Sequence, residues 1–282
     1  MTTVLITGAG SGLNNGAAFE LAKRGYDVIA CVEIYPQVRL LELQAKQSGV
    51  TLRIEKIDVT HEGDRRRAMS WDVDVLVNGA GIIEGGAIVD VPGANIRRQF
   101  EVNVIGPVLL TQGIARKMIA RRSGKIIFMG SVVGIVSGPF VGIYGASKHA
   151  LEGIADTMRI ELQEFGVQVA VINPGPYLTG FNDAGFLAPK DWDDDPTARV
   201  FDYDKLAFPF PQFEPSLAFS SIVDVITGKS TLFRNVVAPD LAQGVREQSL
   251  QVWTRKAADG LGTRHELVQQ SYTLKPETPA DV

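Results

Sequence analysis

A tyrosine and a lysine stand four residues apart, at Tyr144 and Lys148, in a segment whose pattern predicts the start of a helix. Side chains at this spacing share one helix face, so the phenol and the ammonium can interact. A nearby cation favours a phenolate and lowers the ordinary tyrosine pKa of about 10, which lets such a pair move protons. The alternative is an exposed tyrosine beside an exposed lysine with no chemical role.

A serine lies where it could act together with this pair. Ser131 precedes Tyr144 by thirteen residues and lies at the carboxyl end of an apolar run that predicts the fifth strand. In a doubly wound sheet, ligands bind at the carboxyl ends of the strands. The hydroxyl could polarise a carbonyl or hold an alcohol against the tyrosine, and the neighbouring Gly130 and Gly134 leave the backbone adaptable.

A glycine-rich turn, TGAGSGLN at residues 7–14, follows the first predicted strand and opens a helix. Gly8 and Gly12 permit a tight turn and a close backbone approach, while the unsatisfied amides at a helix start attract a pyrophosphate. This context predicts a dinucleotide-binding site. A turn used only for packing is the alternative.

The end of the second predicted strand carries Glu33. A carboxylate at this place can accept hydrogen bonds from the adenosine ribose hydroxyls and would repel a 2′-phosphate. Glu33 therefore favours NAD over NADP as the cofactor, although an ordinary solvated strand end would look the same in the sequence.

Seven short, mostly apolar runs predict the strands that position these groups. They are typical of a parallel sheet covered on both faces, and helical patterns separate them. We therefore predict an α/β fold, a doubly wound and mostly parallel seven-stranded sheet (Rossmann fold), with its ligand crevice at the carboxyl ends of the strands. The predicted strands are residues 3–7, 28–32, 52–57, 73–77, 125–129, 167–172 and 235–238, and the clearest predicted helices are residues 144–165, 216–226 and 241–256.

One segment interrupts this alternation. Residues 181–213 are Pro-rich and hold eight aromatic residues, which predicts a long functional loop. Several of these side chains could wall a mostly apolar pocket around the reacting carbon, or they could anchor the loop to the body or to a second subunit. The eight are Phe181, Phe186, Trp192, Phe201, Tyr203, Phe208, Phe210 and Phe213. We expect one domain over residues 1–272, including this substrate loop, and a polar C-terminal tail over residues 273–282.

Composition argues against several classes of partner and site. The net charge of −4 provides no positive potential that would attract nucleic acid or anionic lipid. The sequence contains no run of eighteen apolar residues, so we predict no membrane span. One cysteine cannot form an internal disulfide, and three histidines without metal-binding spacing predict no metal site. We expect a cytoplasmic protein.

Six motifs in one fixed order resemble the short-chain dehydrogenase/reductase family. The resemblance runs from about residue 3 to 180 and weakly to Pro239. Two positions depart from the family pattern, since Asn14 replaces the third glycine of the turn and Gly79 stands where an asparagine is frequent. The motifs are TGAGSG, VNGAG at 77–81, Asn103 in EVNVIGP, Ser131 in MGSVVG, YGASK at 144–148 and PGPYLT at 174–179.

The resemblance implies a role for each matched residue. Tyr144 would be the general acid/base, Ser131 would orient the substrate, Lys148 would bind the nicotinamide ribose and lower the tyrosine pKa, and Asn103 would hold a proton-relay water. The implied cofactor-binding residues are Gly8, Ser11, Gly12 and Leu13 in the turn, Glu33, Asp58 and Val59 near the adenosine, Asn78, Ala80 and Gly81 along its side, and Pro174, Gly175 and Thr179 near the nicotinamide, together with Tyr144 and Lys148.

The resulting expectation is an NAD-dependent oxidoreductase that interconverts a secondary alcohol and a ketone on an apolar or aromatic small molecule. Family habit suggests a homodimer or homotetramer. The alternative is a catalytically silent nucleotide-binding regulatory or scaffold protein on the same fold, which the substitution at Asn14 motivates.

Overall fold

The computed structural model describes residues 1–238 and 240–274. Seven strands form one sheet in the order β3-β2-β1-β4-β5-β6-β7, with every neighbouring pair parallel. This order confirms the predicted doubly wound sheet, in which the strand order reverses between β1 and β4. The strands are β1 (Thr3–Thr7), β2 (Asp27–Val32), β3 (Arg53–Lys56), β4 (Val75–Asn78), β5 (Gly124–Met129), β6 (Val167–Pro174) and β7 (Arg234–Val237).

Ten α-helices within the described residues cover the sheet and its edges. The bounds are α1 (Gly12–Lys23), α2 (Tyr35–Ser48), α3 (Glu62–Ser70), α4 (Gly93–Phe100), α5 (Gly106–Ala120), α6 (Gly142–Leu162), α7 (Phe181–Leu187), α8 (Ser216–Ile226), α9 (Leu241–Gln251) and α10 (Glu266–Thr273). No helix in these ranges is long and apolar enough to cross a bilayer.

The continuous apolar runs of the strands are buried on both faces of the sheet. Val4 and Ile6 of β1 face a core that also holds Leu21 of α1 and Ile222 of α8. Leu5, between them, faces the opposite core, to which α3, α5 and α6 contribute. Successive residues of a strand point to opposite faces, so a strand between two helical layers must be apolar throughout.

Helix α6 carries the predicted tyrosine and lysine and begins two residues before the predicted start. Its last turn tightens into a 3₁₀ helix over Gln163–Phe165, and Gly166 ends it in the left-handed conformation, with φ of +68°. A five-residue π-helical turn, Glu101–Ile105, joins α4 to α5. Such turns often mark functional sites, and this one contains Asn103.

The predicted loop and the C-terminal region differ from expectation. Residues 181–213 contain helix α7 and three 3₁₀ turns, so the segment is not an irregular loop. Helix α9 ends at Gln251 rather than at residue 256, and α10 has no counterpart in the sequence prediction. Pro239 and residues 275–282 of the predicted tail lie outside the described residues.

A third apolar cluster holds this C-terminal region in place. Trp192 and Tyr203 from the 181–213 segment pack with Phe140 and Ile143, which lie next to or within α6. Val268 of α10 packs against the same cluster. Helix α10 has only eight residues, too few to be stable in water by itself, so its packing against this cluster stabilises it.

Candidate active site

A cleft of about 410 Å³ opens at the carboxyl ends of β1, β2, β4, β5 and β6. This position is where the doubly wound topology places a ligand, and the volume lies within the range of roughly 300–1,000 Å³ of ligand pockets. The predicted site residues that line it are Gly8, Ser11, Gly12, Leu13, Glu33, Asp58, Val59, Ala80, Gly81, Ser131, Tyr144, Lys148, Pro174, Gly175 and Thr179.

The glycine turn fits a phosphate-binding role because its backbone leaves no room for side chains. Gly8 adopts a φ of +67°, and a Cβ there would lie 2.7 Å from the Cα of Ala80. Gly12 adopts a φ of +60°. Ser11 precedes α1, lines the cleft and makes no capping hydrogen bond with its side chain, so its hydroxyl and the first amides of the helix are available to a ligand.

The two departures from the family pattern contact each other. The side-chain Nδ2 of Asn14 donates a hydrogen bond of 2.8 Å to the carbonyl of Gly79. A Cβ at Gly79 would lie 2.5 Å from the same Nδ2 atom, so Asn14 takes the space that a side chain at position 79 would need. Asn14 therefore links α1 to the end of β4. The sequence shows both substitutions but not their contact across 65 positions.

Polar and acidic groups line the end of the cleft where the sequence analysis predicted the adenosine. Glu33 directly follows β2 and Asp58 follows β3. Gln37, which the sequence analysis did not single out, also lines this end, and its Oε1 accepts hydrogen bonds from the backbone N–H groups of Glu33 (3.0 Å) and Ile34 (3.3 Å). Among the described residues that line the cleft, the only basic side chain is Lys148.

The opposite end of the cleft brings Ser131, Tyr144 and Lys148 together. All three are buried. The Lys148 ammonium donates a hydrogen bond of 2.7 Å to the carbonyl of Met129 and lies 5.6 Å from the centroid of the Tyr144 ring. The hydroxyl of Ser131 accepts a hydrogen bond from the N–H of Val133 (3.3 Å).

Burial shifts the pKa values of Tyr144 and Lys148 in opposite directions, because it favours the neutral form of each group. Desolvation raises the pKa of Tyr144 to about 12, and a hydrogen bond with Ser131 opposes it only in part. Desolvation likewise lowers the pKa of Lys148 to about 8, opposed by the charge of Glu152. A lowered tyrosine pKa was expected from the sequence, but in the cofactor-free protein desolvation by burial raises it instead.

Two predicted site residues do not line the cleft. Asn78 ends β4, and its side chain donates to the hydroxyl of Thr111 on α5 (2.9 Å), away from the adenosine side where it was expected. Asn103 is fully buried, and its amide is held by the backbone of Ile82 through two hydrogen bonds and by the hydroxyl of Ser147 (3.1 Å). Asn103 thus fastens the π-helical turn to α6, and its binding of a relay water stays a prediction.

Of the eight aromatic residues in the 181–213 segment, Phe181 lines the cleft. Its ring meets the Tyr144 ring edge-on at a centroid distance of 5.7 Å. Phe186, Trp192, Phe201, Tyr203 and Phe208 instead belong to the third apolar cluster. These five side chains therefore anchor the 181–213 segment to the rest of the protein, whereas Phe181 forms part of the cleft wall.

No group of three or more His, Cys, Asp or Glu side chains within residues 1–238 and 240–274 is arranged to hold a metal ion.

Comparison with known proteins identifies the family. A sequence model described as short chain dehydrogenase matches residues 2–187, more than half of the chain. The chain belongs to this family. Members of the short-chain dehydrogenase family are oxidoreductases on a nucleotide-binding Rossmann fold that use NAD or NADP.

Relatives with curated names match a little over three fifths of the chain. An uncharacterized oxidoreductase of Bacillus subtilis, YusZ, is 36% identical over 181 residues, which cover 62% of this chain and 65% of that protein. Retinol dehydrogenase 8 of Homo sapiens is 34% identical over 186 residues, which cover 64% of this chain and 60% of that protein. The matched segments thus span less than two thirds of the length of either relative.

Solved structures share the fold over more of the chain. A short-chain dehydrogenase from Streptomyces avermitilis superposes with a TM-score of 0.73 at 23% identity, covering 90% of this chain and 94% of that one. A short-chain dehydrogenase from Sphingobium yanoikuyae in complex with NADPH gives a TM-score of 0.69 at 22% identity, covering 91% and 98%. These similarities show the Rossmann fold.

Proposed function

We propose that the protein is an NAD-dependent oxidoreductase that interconverts a secondary alcohol and a ketone, with Tyr144 as the general acid/base. The observation that carries this proposal is a single cleft lined at one end by the glycine turn and at the other by Ser131, Tyr144 and Lys148. A nicotinamide cofactor bound in that cleft would supply the exchange of hydride with the substrate carbon.

The side chains of this protein would orient the substrate and move the proton. In ketone reduction, the hydroxyl of Ser131 donates a hydrogen bond to the carbonyl oxygen, and the phenol of Tyr144 delivers its proton to that oxygen. A tyrosine pKa of about 12 keeps the phenol protonated at neutral pH, which suits the role of acid. Lys148 would bind the ribose next to the nicotinamide and place positive charge near the phenol.

The acidic lining at the adenosine end supports NAD over NADP. Glu33 and Asp58 both line this end, and no described lysine or arginine does so. A 2′-phosphate would thus meet like charge and no cation to balance it.

Melting temperatures measured with each cofactor test this preference, because a ligand that binds only the native state raises the melting temperature. We expect a larger rise with NAD than with NADP, and we expect Glu33→Gln to reduce the difference. Glu161→Gln, at an exposed position of α6 outside the cleft, is the matched control and should leave the difference unchanged. A larger rise with NADP for the unaltered protein would overturn the role given to Glu33.

An apolar or aromatic substrate suits the reacting end of the cleft. The edge of Phe181 lies against Tyr144, so a substrate held over the phenol would contact this ring. The relative named retinol dehydrogenase supports an alcohol as the substrate group.

Turnover distinguishes this proposal from a catalytically silent nucleotide-binding protein on the same fold. We expect NADH formation with at least one member of a panel of apolar secondary alcohols, and NADH consumption with the corresponding ketone. Thermal stabilisation by NAD without turnover on any member of a broad panel would instead support the silent alternative. The contact between Asn14 and Gly79 weakens the main argument for that alternative, because it explains the altered turn by packing.

The proposal also covers the extent of the catalytic unit and its oligomeric state. We infer a catalytic unit over residues 1–272, with residues 181–213 beside the substrate, in a cytoplasmic homodimer or homotetramer. Sedimentation equilibrium of the purified protein tests the assembly, and a purely monomeric profile at micromolar concentration would contradict it.

A further inference from the structure

A buried carboxylate lies behind the reacting end of the cleft, at Glu152 on α6, one helical turn after Lys148. Its Oε1 accepts a hydrogen bond of 2.5 Å from the side-chain amide of Asn173, on β6. Its Oε2 accepts two hydrogen bonds from the guanidinium of Arg234, on β7, at 2.9 and 3.1 Å. Both carboxylate oxygens are thus paired, as a buried charge requires.

The same amide reaches the backbone of the cleft. Nδ2 of Asn173, besides donating to Glu152, donates a hydrogen bond of 3.0 Å to the carbonyl of Ser131. Asn173 is fully buried, so this bond is shielded from water. Arg234, Glu152, Asn173 and Ser131 therefore form one continuous chain of contacts from a half-exposed arginine to the serine that borders the cleft.

The turn before Ser131 is built around these contacts. A Cβ at Gly130 would lie 2.7 Å from Nδ2 of Asn173 and 3.1 Å from Oε1 of Glu152. Only a glycine leaves this space, so the backbone that presents Ser131 rests directly on the carboxylate and amide pair.

Glu152 follows Lys148 by four residues on α6, so the two side chains share one face of the helix. Three groups lie around the Lys148 ammonium: the Tyr144 ring on the same helix, the carbonyl of Met129 on β5 and the side-chain amide of Asn103. The Asn103 amide is near this ammonium because both lie within 4 Å of the point that a Cβ at Gly81 would occupy. Among the charged groups of the described residues, Glu152 is the one whose field raises the pKa of Lys148 against the effect of burial.

We propose that Glu152, braced by Arg234, is a positioning residue of the site: through Asn173 it fixes the backbone that presents Ser131, and its negative charge supports the Lys148 ammonium. This inference rests on the proposed function for the roles of Ser131 and Lys148. A purely structural role would require only hydrogen bonding at position 152, whereas the proposed role also requires the charge.

Glu152→Gln separates the two requirements, because glutamine keeps the size and an oxygen that can accept from Asn173 but removes the charge. The test is the rate at which acetic anhydride acetylates Lys148 in the cofactor-free protein, followed by mass spectrometry as a function of pH. We expect the midpoint of this reactivity to move to lower pH by about one unit in the variant. The alkaline limb of kcat/KM for ketone reduction should move in the same direction.

Two further variants control for general damage. Glu84→Gln removes another buried carboxylate, which contacts Arg98 and Asn95 and does not line the cleft, and it should leave the acetylation midpoint of Lys148 unchanged. Arg234→Gln keeps the carboxylate of Glu152, so the midpoint of Lys148 acetylation should stay the same or move to higher pH. This variant tests the proposal even if Glu152→Gln does not fold.

Equal midpoints in the unaltered protein and Glu152→Gln would overturn the inference, as would a downward shift in Arg234→Gln or an equal shift in Glu84→Gln. Because acetylation needs no turnover, it still decides the role of Glu152 if the unaltered protein oxidises no alcohol. In that case the proposed function would fail separately.

Discussion

At the scale of single residues, burial determines which groups in the cleft carry protons at neutral pH. The raised pKa of Tyr144 keeps the phenol neutral and protonated, while the lowered pKa of Lys148 brings loss of its positive charge close to the working range. In the proposed ketone reduction, the pair would thus begin with a proton on both groups. The more labile of the two protons belongs to the lysine.

The lowered lysine pKa predicts a pH dependence. In the proposed function, the cation at position 148 binds the ribose and supports the phenol, so we expect kcat/KM for ketone reduction to be constant below a pH of about 8 and to fall about tenfold per unit above it. Initial rates between pH 6 and pH 10, corrected for the fraction of unfolded protein, measure this alkaline limb of the pH profile.

Lys125 supplies a matched control for that profile. Burial lowers its pKa too, but its amine donates to the carbonyl of Val225 and it does not line the cleft. Lys125→Met should therefore keep the same alkaline limb. A profile that stays flat to pH 10 in the unaltered protein would contradict the role assigned to Lys148.

At the scale of elements, the position of α1 determines the position of the glycine turn. Asn14 fastens the start of this helix to Gly79 after β4, and Gly16 lies against Phe219 of α8. A Cβ at Gly16 would approach the Phe219 ring to 2.2 Å, so the close contact of the two helices depends on this glycine.

Gly16→Ala should therefore overpack the contact between α1 and α8. We expect a loss of roughly 1–3 kcal/mol in the free energy of unfolding, measured by urea denaturation, and a smaller melting-temperature rise with NAD because the turn moves with the helix.

Gly153→Ala is the control, since a Cβ at this position of α6 meets no atom within 4 Å. Alanine in an open helix position should raise the free energy of unfolding by about 0.5–1 kcal/mol. Equal stability of the two variants would show that the contact between α1 and α8 is not tight.

At the scale of the whole molecule, the fold has one apolar core on each face of the sheet and a third apolar cluster. The third cluster holds the 181–213 segment. Asp90 connects this segment to the body, because its carboxylate accepts hydrogen bonds from the N–H groups of Val200 (2.9 Å) and Phe201 (3.2 Å) and from the hydroxyl of Tyr203 (2.7 Å). The segment is therefore packed and tied rather than free.

Tyr203→Phe should loosen this attachment. The tyrosine hydroxyl also accepts from the N–H of Ala87 (3.0 Å), and its removal leaves that donor unpaired at a cost of roughly 1–3 kcal/mol. We expect faster hydrogen exchange over residues 196–206 with unchanged protection of the sheet strands. Tyr35→Phe, at an exposed position of α2, should change neither, and equal exchange in Tyr203→Phe would contradict the attachment.

The sequence predicts the features that depend on neighbouring residues. Most strands are short, continuous apolar runs, and all seven were predicted to within about two residues at either end. Helix α10 was missed because a helix of eight residues depends on its contacts with the third cluster, which the local sequence does not reveal.

Contacts between distant residues explain the other differences. The position of Asn78 depends on Thr111, and the pairing of Asn14 with Gly79 joins residues far apart in the chain. The raised pKa of Tyr144 depends on burial, which the sequence around YxxxK does not reveal.

The most direct test of the central claim is the turnover of Tyr144→Phe on a substrate that the unaltered protein reduces, measured together with its NADH affinity. Removing the acid should lower kcat by about 100- to 10,000-fold, while the dissociation constant for NADH should change by no more than about threefold, because the ring stays in place. Tyr26→Phe, outside the cleft, should change neither quantity. Undiminished turnover in Tyr144→Phe would contradict the account.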